Sequence, residues 1–183
     1  MTTDTQPASV YDLAHDEEPE NLATFAVLVD NEPGVLHRLV GLFAARGYNI
    51  ESLTVAETDR RSHTSRVTIV TRGTPHVLAQ IEAQLEKMVS TRHVQDVTRD
   101  PNGLERELAL VKVRGSGADR VEALRVSEIF RAKVIDTTHE SFVFEVTGAS
   151  SKIDSFIELM RPLGLAEVSR TGVLSIQRGA RAL

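Results

Sequence analysis

From Asp30 to Leu36 the chain reads Asp-Asn-Glu-Pro-Gly-Val-Leu, residue types that can hold both charged ends of a free amino acid. Apolar residues then recur at helical spacing, at Val35, Leu36, Leu39, Val40, Leu42 and Phe43, so a helix is predicted to start here. A helix start carries N–H groups without intrahelical partners, and with no Cβ at Gly34 a carboxylate can approach them. The amide oxygen of Asn31 can accept a hydrogen bond from an ammonium group beside it. Asp30 and Asn31 are the expected caps, and Pro33 fits the first turn, where its missing N–H costs little. Asn-Glu-Pro-Gly is equally an ordinary turn and helix start, and the residues alone leave both readings open.

Other chemistry has less support. There is no cysteine, which excludes disulfides, thiolate metal sites and cysteine nucleophiles. The histidines at positions 15, 37, 63, 76, 93 and 139 show no metal-ligand spacing. Arg114-Gly115-Ser116-Gly117 precedes a predicted helix and resembles a phosphate cradle, but it lacks the Lys-Ser/Thr of a P-loop and reads more simply as a strand-to-helix turn. No nucleophile triad or paired-carboxylate spacing is recognisable. No catalytic residue and no metal ligand is assigned.

Two repeats of one element order would position these residues. Thr24–Val29 is predicted as a strand, followed by the helix from Val35, a strand over Asn49–Glu57, a strand over His63–Thr71, a helix over His76–Val89 and a strand over Arg92–Thr98. The second half repeats this with strands over Glu107–Val113, Val134–Thr138, Phe142–Val146 and Glu167–Gln177, the last broken at Gly172. Its helices span Ala118–Ala132 and Ser151–Arg161. Val121, Leu124, Ile129 and Phe130 are the apolar residues of the first of these. The class is α+β: two tandem ferredoxin-like βαββαβ units, each a four-stranded sheet with two helices on one face. The expected division is an acidic, disordered lead-in over residues 1–21, a first unit over 22–99, a linker over 100–106 and a second unit over 107–183.

The formal net charge of -5 and the 4% aromatic content argue against nucleic-acid binding, which needs a basic face or stacking platforms. Strand His63–Thr71 carries no aromatic residue, unlike the RNA-binding members of this fold. No apolar run approaches a membrane span, and the start lacks the basic and apolar regions of a secretory signal; a cytoplasmic location is expected.

The run GLFAARGYNIESLTVAET, with NEPGVLHR before it, resembles the regulatory small subunit of acetolactate synthase, whose first unit is an ACT domain. The resemblance extends from about Phe25 to the C-terminus. It implies a non-catalytic subunit that activates a catalytic large subunit and confers feedback inhibition by valine. It further implies a homodimer through the ACT domain, with valine at the dimer interface. Carried over, the ligand residues are Asn31, Gly34, Val35 and Leu36 in the loop and helix start, and Asn49 and Ile50 at the second strand. Backbone N–H groups of Gly34 to Leu36 would hold the carboxylate, Asn31 and Asn49 the ammonium, and Ile50 would line the side-chain pocket. Thiamine diphosphate, magnesium and FAD would belong to the catalytic partner, with no cofactor on this chain. His37, near the site, departs from the smaller residues common there, and the lead-in is longer than expected. Two other readings suit the same fold: an amino-acid sensor for a different enzyme or a transcription factor, and an acylphosphatase-like hydrolase. The second lacks its arginine-rich loop here.

Overall fold

The computed structural model describes residues 19–59, 61 and 63–180; most of the expected lead-in lies outside them. In the first half, β1 (Asn21–Asp30), α1 (Val35–Ala45), β2 (Ile50–Asp59), β3 (Thr64–Gly73), α2 (Pro75–Glu86) and β4 (Thr91–Asp96) follow the expected order. The strands lie β2-β3-β1-β4, all antiparallel, with Val27 opposite Val67 and Thr54 opposite Thr68. Alternation along each strand sends Phe25, Val27, Val29, Val67 and Ile69 to the helix-covered face, where they pack with Leu39, Phe43, Leu78, Ile81 and Leu85. Thr74 caps α2 through its hydroxyl, which accepts from Val77 N–H at 3.4 Å, and Pro75 opens the helix. The helix stops at Glu86, three residues short of the expected Val89, which is fully exposed.

The second half places β5 (Gly103–Arg114), α3 (Gly117–Phe130), β6 (Lys133–Thr137), β7 (Ser141–Gly148), α4 (Ser150–Met160) and β8 (Leu165–Arg170) in the same order, β6-β7-β5-β8. A separate core forms from Val111, Val113, Phe142, Phe144, Val146, Ile153, Phe156 and Met160. In α3 the buried positions are Ala123, Val126 and Ser127, whereas Val121 and Ile129 are 68% and 71% exposed. The helix is turned so that its buried side runs through Ala123, Val126 and Ser127 rather than through Val121 and Ile129. Each half is therefore a ferredoxin-like unit with its own core.

The two units join more tightly than a linker implies. Residues 103–106 already belong to β5 and pair with β9 (Leu174–Gln177), the piece that follows the break at Gly172. Residues 107–113 of the same strand pair with β7 and β8. β9 lies against the sheet of the first unit, on the face opposite its helices, and Thr24, Ala26 and Thr68 there are buried. Asp100 accepts from Gln95 Nε2 at 2.9 Å and also from the Gln177 amide, tying the connection to both units.

Candidate functional site

The turn between β1 and α1 differs from its expected form. α1 begins at Val35 with Gly34 as its N-cap, at φ 84°, ψ -3°, and no side chain caps the helix. Asp30 is instead engaged by Arg92, whose Nε lies 2.6 Å from Oδ1, and Asn31 Nδ2 donates to Glu57 Oε1 at 3.4 Å. With the N-cap at Gly34, Asp30 and Asn31 lie too far before the helix to cap it, and the left-handed backbone at that position suits glycine. A Cβ at Gly34 would meet nothing within 4 Å, so the space in front of the helix is open.

The donor set is correspondingly shifted. Val35 N–H is already bonded to Glu32 C=O at 3.2 Å, and its side chain is buried in the core. The N–H groups of Gly34, Leu36 and His37 meet no acceptor among the described residues. Asn31 is exposed next to them, its Oδ1 accepting nothing from the described residues. This end of α1 can thus take a carboxylate and an ammonium group together. Asp30 and Glu32 place negative charge behind the turn; Arg38 partly offsets it, with Nη2 at 3.7 Å from Glu32.

Asn49 and Ile50 lie at the other end of the helix. The 11 residues of α1 span about 16 Å, so within one chain they do not join Asn31 and Gly34 in a single pocket. Asn49 is exposed, with Nδ2 donating to Glu51 Oε1 at 3.1 Å and its carbonyl accepting from Thr71 Oγ1 at 2.6 Å. Ile50 is partly buried against the core. Between the two ends run features that no single-chain role accounts for. β2 is an edge strand. Along the outer side of α1, Leu36 and Val40 are 39% and 37% exposed, followed at helical spacing by exposed Ala44 and, one step round, Gly41. A helix apolar on both sides is built to be covered on both.

A second constellation, missed from sequence, sits where the units meet. Arg170 donates from Nε and Nη2 to the two oxygens of Glu107, at 2.7 and 2.6 Å, and from Nη1 to Asp154 at 2.6 Å. Glu107 is only 5% exposed. The Arg170 guanidinium, through these hydrogen bonds, holds the Glu107 carboxyl below its ordinary range. These residues border a cleft of about 720 Å³, whose other wall is Leu22, Ser52, Leu53, Val70 and Arg72 of the first unit. The partners are 63 residues apart, so no local spacing announces them. Glu107→Gln should cost about 3 kcal/mol, the low end for breaking a buried pair because Arg170 stays partly exposed. Since the folded pKa is depressed, this contribution is present above the ordinary carboxylate pKa and lost as pH falls through the folded one. Acid unfolding below about pH 4 should therefore be less steep in the variant than in the parent, as followed by circular dichroism.

The Arg114–Gly117 segment is the turn from β5 to α3, with Asp119 in the first helical turn, where its carboxylate would oppose a phosphate. Among the described residues no three His, Asp or Glu side chains gather as a metal site, and no helix is long and apolar enough to cross a membrane.

Comparison with known proteins agrees with this architecture unit by unit. Residues 25–93 match the family model described as the AHAS small subunit-like ACT domain, and residues 106–179 match that of the small subunit of acetolactate synthase. The chain is 46% identical over 156 residues to a probable acetolactate synthase small subunit of Archaeoglobus fulgidus, covering 85% of this chain and 96% of the relative. It is 44% identical over 159 residues to the acetolactate synthase isozyme 3 small subunit of Escherichia coli, covering 86% and 96%. The crystal structure of the acetolactate synthase small subunit from Thermotoga maritima superposes with a TM-score of 0.78 at 38% identity, covering 88% of this chain and 99% of that one. With both units matched in order, the chain belongs to the acetolactate synthase small-subunit family.

Proposed function

We propose that this chain is a regulatory subunit that activates the catalytic large subunit of acetolactate synthase and makes it sensitive to valine, an end product of branched-chain amino-acid biosynthesis. The first unit, residues 22–99, senses the ligand, and the second, 107–183, is carried on its sheet. Two copies pair through β2 and α1 to complete the site. The observation that carries this reading is the division of the six ligand residues between the two ends of α1, beside an unpaired strand edge and an exposed apolar helix face. An antiparallel pairing of two β2 strands centred near Thr54 and Val55 brings Asn49 and Ile50 of the partner subunit to Asn31 and Gly34. The same pairing lays the Leu36–Val40–Ala44 faces together. Glu57, bonded to Asn31, marks which end of β2 each loop occupies.

Valine then binds with its carboxylate on the N–H groups of Gly34, Leu36 and His37 and its ammonium between the two asparagine amides. The apolar group lies against Leu36 and Ile50. Discrimination by such a pocket is modest, about 1–3 kcal/mol per methylene. Valine acts by differential affinity for two states of the complex. Thiamine diphosphate, magnesium and FAD serve the catalytic partner, and the complex is cytoplasmic. Reconstitution tests this: adding the chain to the catalytic subunit should raise acetolactate formation, and valine should lower the raised rate. No change in rate on addition would refute the regulatory role.

A further inference from the structure

β9 covers only part of the outer face of the first sheet. Thr24, Ala26 and Thr68 are buried under the second unit, and Ser52 and Thr54 bond to its 171–173 turn. One cross-strand row lies beyond this cover: Ala56 on β2, Arg66 on β3, Leu28 on β1 and His93 on β4, set side by side by the strand registers. Ala56 and His93 are exposed, and Leu28 and Arg66 are partly buried.

Arg66 is the anomaly in that row. Its Nε is buried with no hydrogen-bond partner, and it forms no ion pair among the described residues. Burial lowers its pKa, and no carboxylate acts to restore it. A partly buried guanidinium without a counter-ion is costly, whereas most other arginines of the described chain have a carboxylate or carbonyl within reach. Second copies do not resolve this. Pairing two β2 strands makes one continuous sheet and, by the two-fold, repeats Arg66 on the same face with both β2 strands between the copies. The β2 residues it adds on that face, Ser52, Thr54 and Ala56, carry no carboxylate.

We infer that the Ala56–Arg66–Leu28 row is a docking surface for a segment of the catalytic subunit that presents a carboxylate flanked by apolar side chains. The carboxylate pairs with the Arg66 fork and the apolar neighbours cover Leu28 and Ala56. This rests on the regulatory reading above. It also gives that reading a route, because β2 and β3 carry both the docking row and the strand that bears Ile50.

Arg66→Leu tests it with purified full-length chain and catalytic subunit. The isolated variant should melt no lower than the parent, since a partly buried, unpaired cation gives way to an apolar side chain that needs no counter-ion. Its thermal shift with valine should be unchanged. The concentration giving half-maximal activation should rise at least about tenfold, as expected when one partner of a desolvated charge pair is removed, and Arg66→Lys should fall between the two. The parent's half-maximal concentration should rise with salt. An unchanged half-maximal concentration in Arg66→Leu overturns the inference, as does a lowered melting temperature, which would make Arg66 a structural residue. A parent chain that neither binds nor activates the catalytic subunit fails the regulatory reading instead, and does so before any variant is compared.

Discussion

Gly34→Asp is expected to abolish the valine response while leaving activation of the catalytic subunit intact. Gly34 lies at φ 84° with open space where a Cβ would go, so the substitution meets no steric clash. The left-handed backbone costs a non-glycine residue about 1–2 kcal/mol, which a folded domain tolerates. The added carboxylate would stand where the proposed site holds the ligand's carboxylate, so repulsion would add to the lost approach. At 1.4 kcal/mol per factor of ten, even 3 kcal/mol weakens binding more than a hundredfold. Gly34→Asn separates charge from backbone strain, because asparagine accepts the left-handed region more readily and carries no charge. It should lose far less affinity. Titration of reconstituted enzyme with valine distinguishes them. If activation disappears together with feedback in Gly34→Asp, the residue serves folding or docking rather than ligand binding.

Gly172→Ala has the next largest effect, through the contact between the units. Gly172 adopts φ 80°, and a Cβ there would lie 2.5 Å from Ser52 Oγ and 2.8 Å from Thr54 Oγ1. Those two hydroxyls hold the turn: Thr54 donates to Thr171 C=O at 3.2 Å, and Val173 N–H donates to Ser52 at 3.1 Å. Alanine therefore strains the backbone and displaces both bonds. The sum is about 3–4 kcal/mol, from 1–2 for the backbone and about 1 for each of the two hydrogen bonds. The melting temperature should fall, and proteolysis should cut first between the units, near residues 97–102. Because the turn sits on β2, the strand proposed to pair across the dimer, valine inhibition should weaken even where valine still binds. Coupling free energies of about 1–3 kcal/mol are small enough for one such contact to matter. Ser52→Ala with Thr54→Val, which removes the bonds without strain, should reproduce the weaker part of the effect. Unchanged stability in Gly172→Ala would show that the seam does not hold the units together.

The repeated order of elements was legible because strand alternation and helical spacing are local signals. Gly172 marked a break in the last strand that the structure shows as the step from β8 to β9. What local pattern left out was decided by tertiary contact. Asp30 and Asn31 have ideal capping chemistry, yet Arg92 and Glu57, distant in sequence, engage them instead. Val121 and Ile129 are apolar yet exposed, and the buried positions of α3 are Ala123, Val126 and Ser127 instead. The Glu107–Arg170 pair and the β5–β9 pairing that absorbs residues 103–106 join segments more than 60 residues apart. Within the candidate site, the Asn31–Gly34 turn stood out by residue type alone. Asn49 and Ile50 did not, since as single-chain features they are a turn residue and a strand residue.

The most direct measurement is the melting temperature of the full-length chain against a panel of amino acids. At about a hundred times its dissociation constant, a ligand that binds only the folded protein adds roughly 2.7 kcal/mol of stability. Valine should raise the melting temperature, lysine and glutamate should not, and the shift should vanish in Gly34→Asp. No valine shift in the chain alone or in its complex with the catalytic subunit would contradict the account.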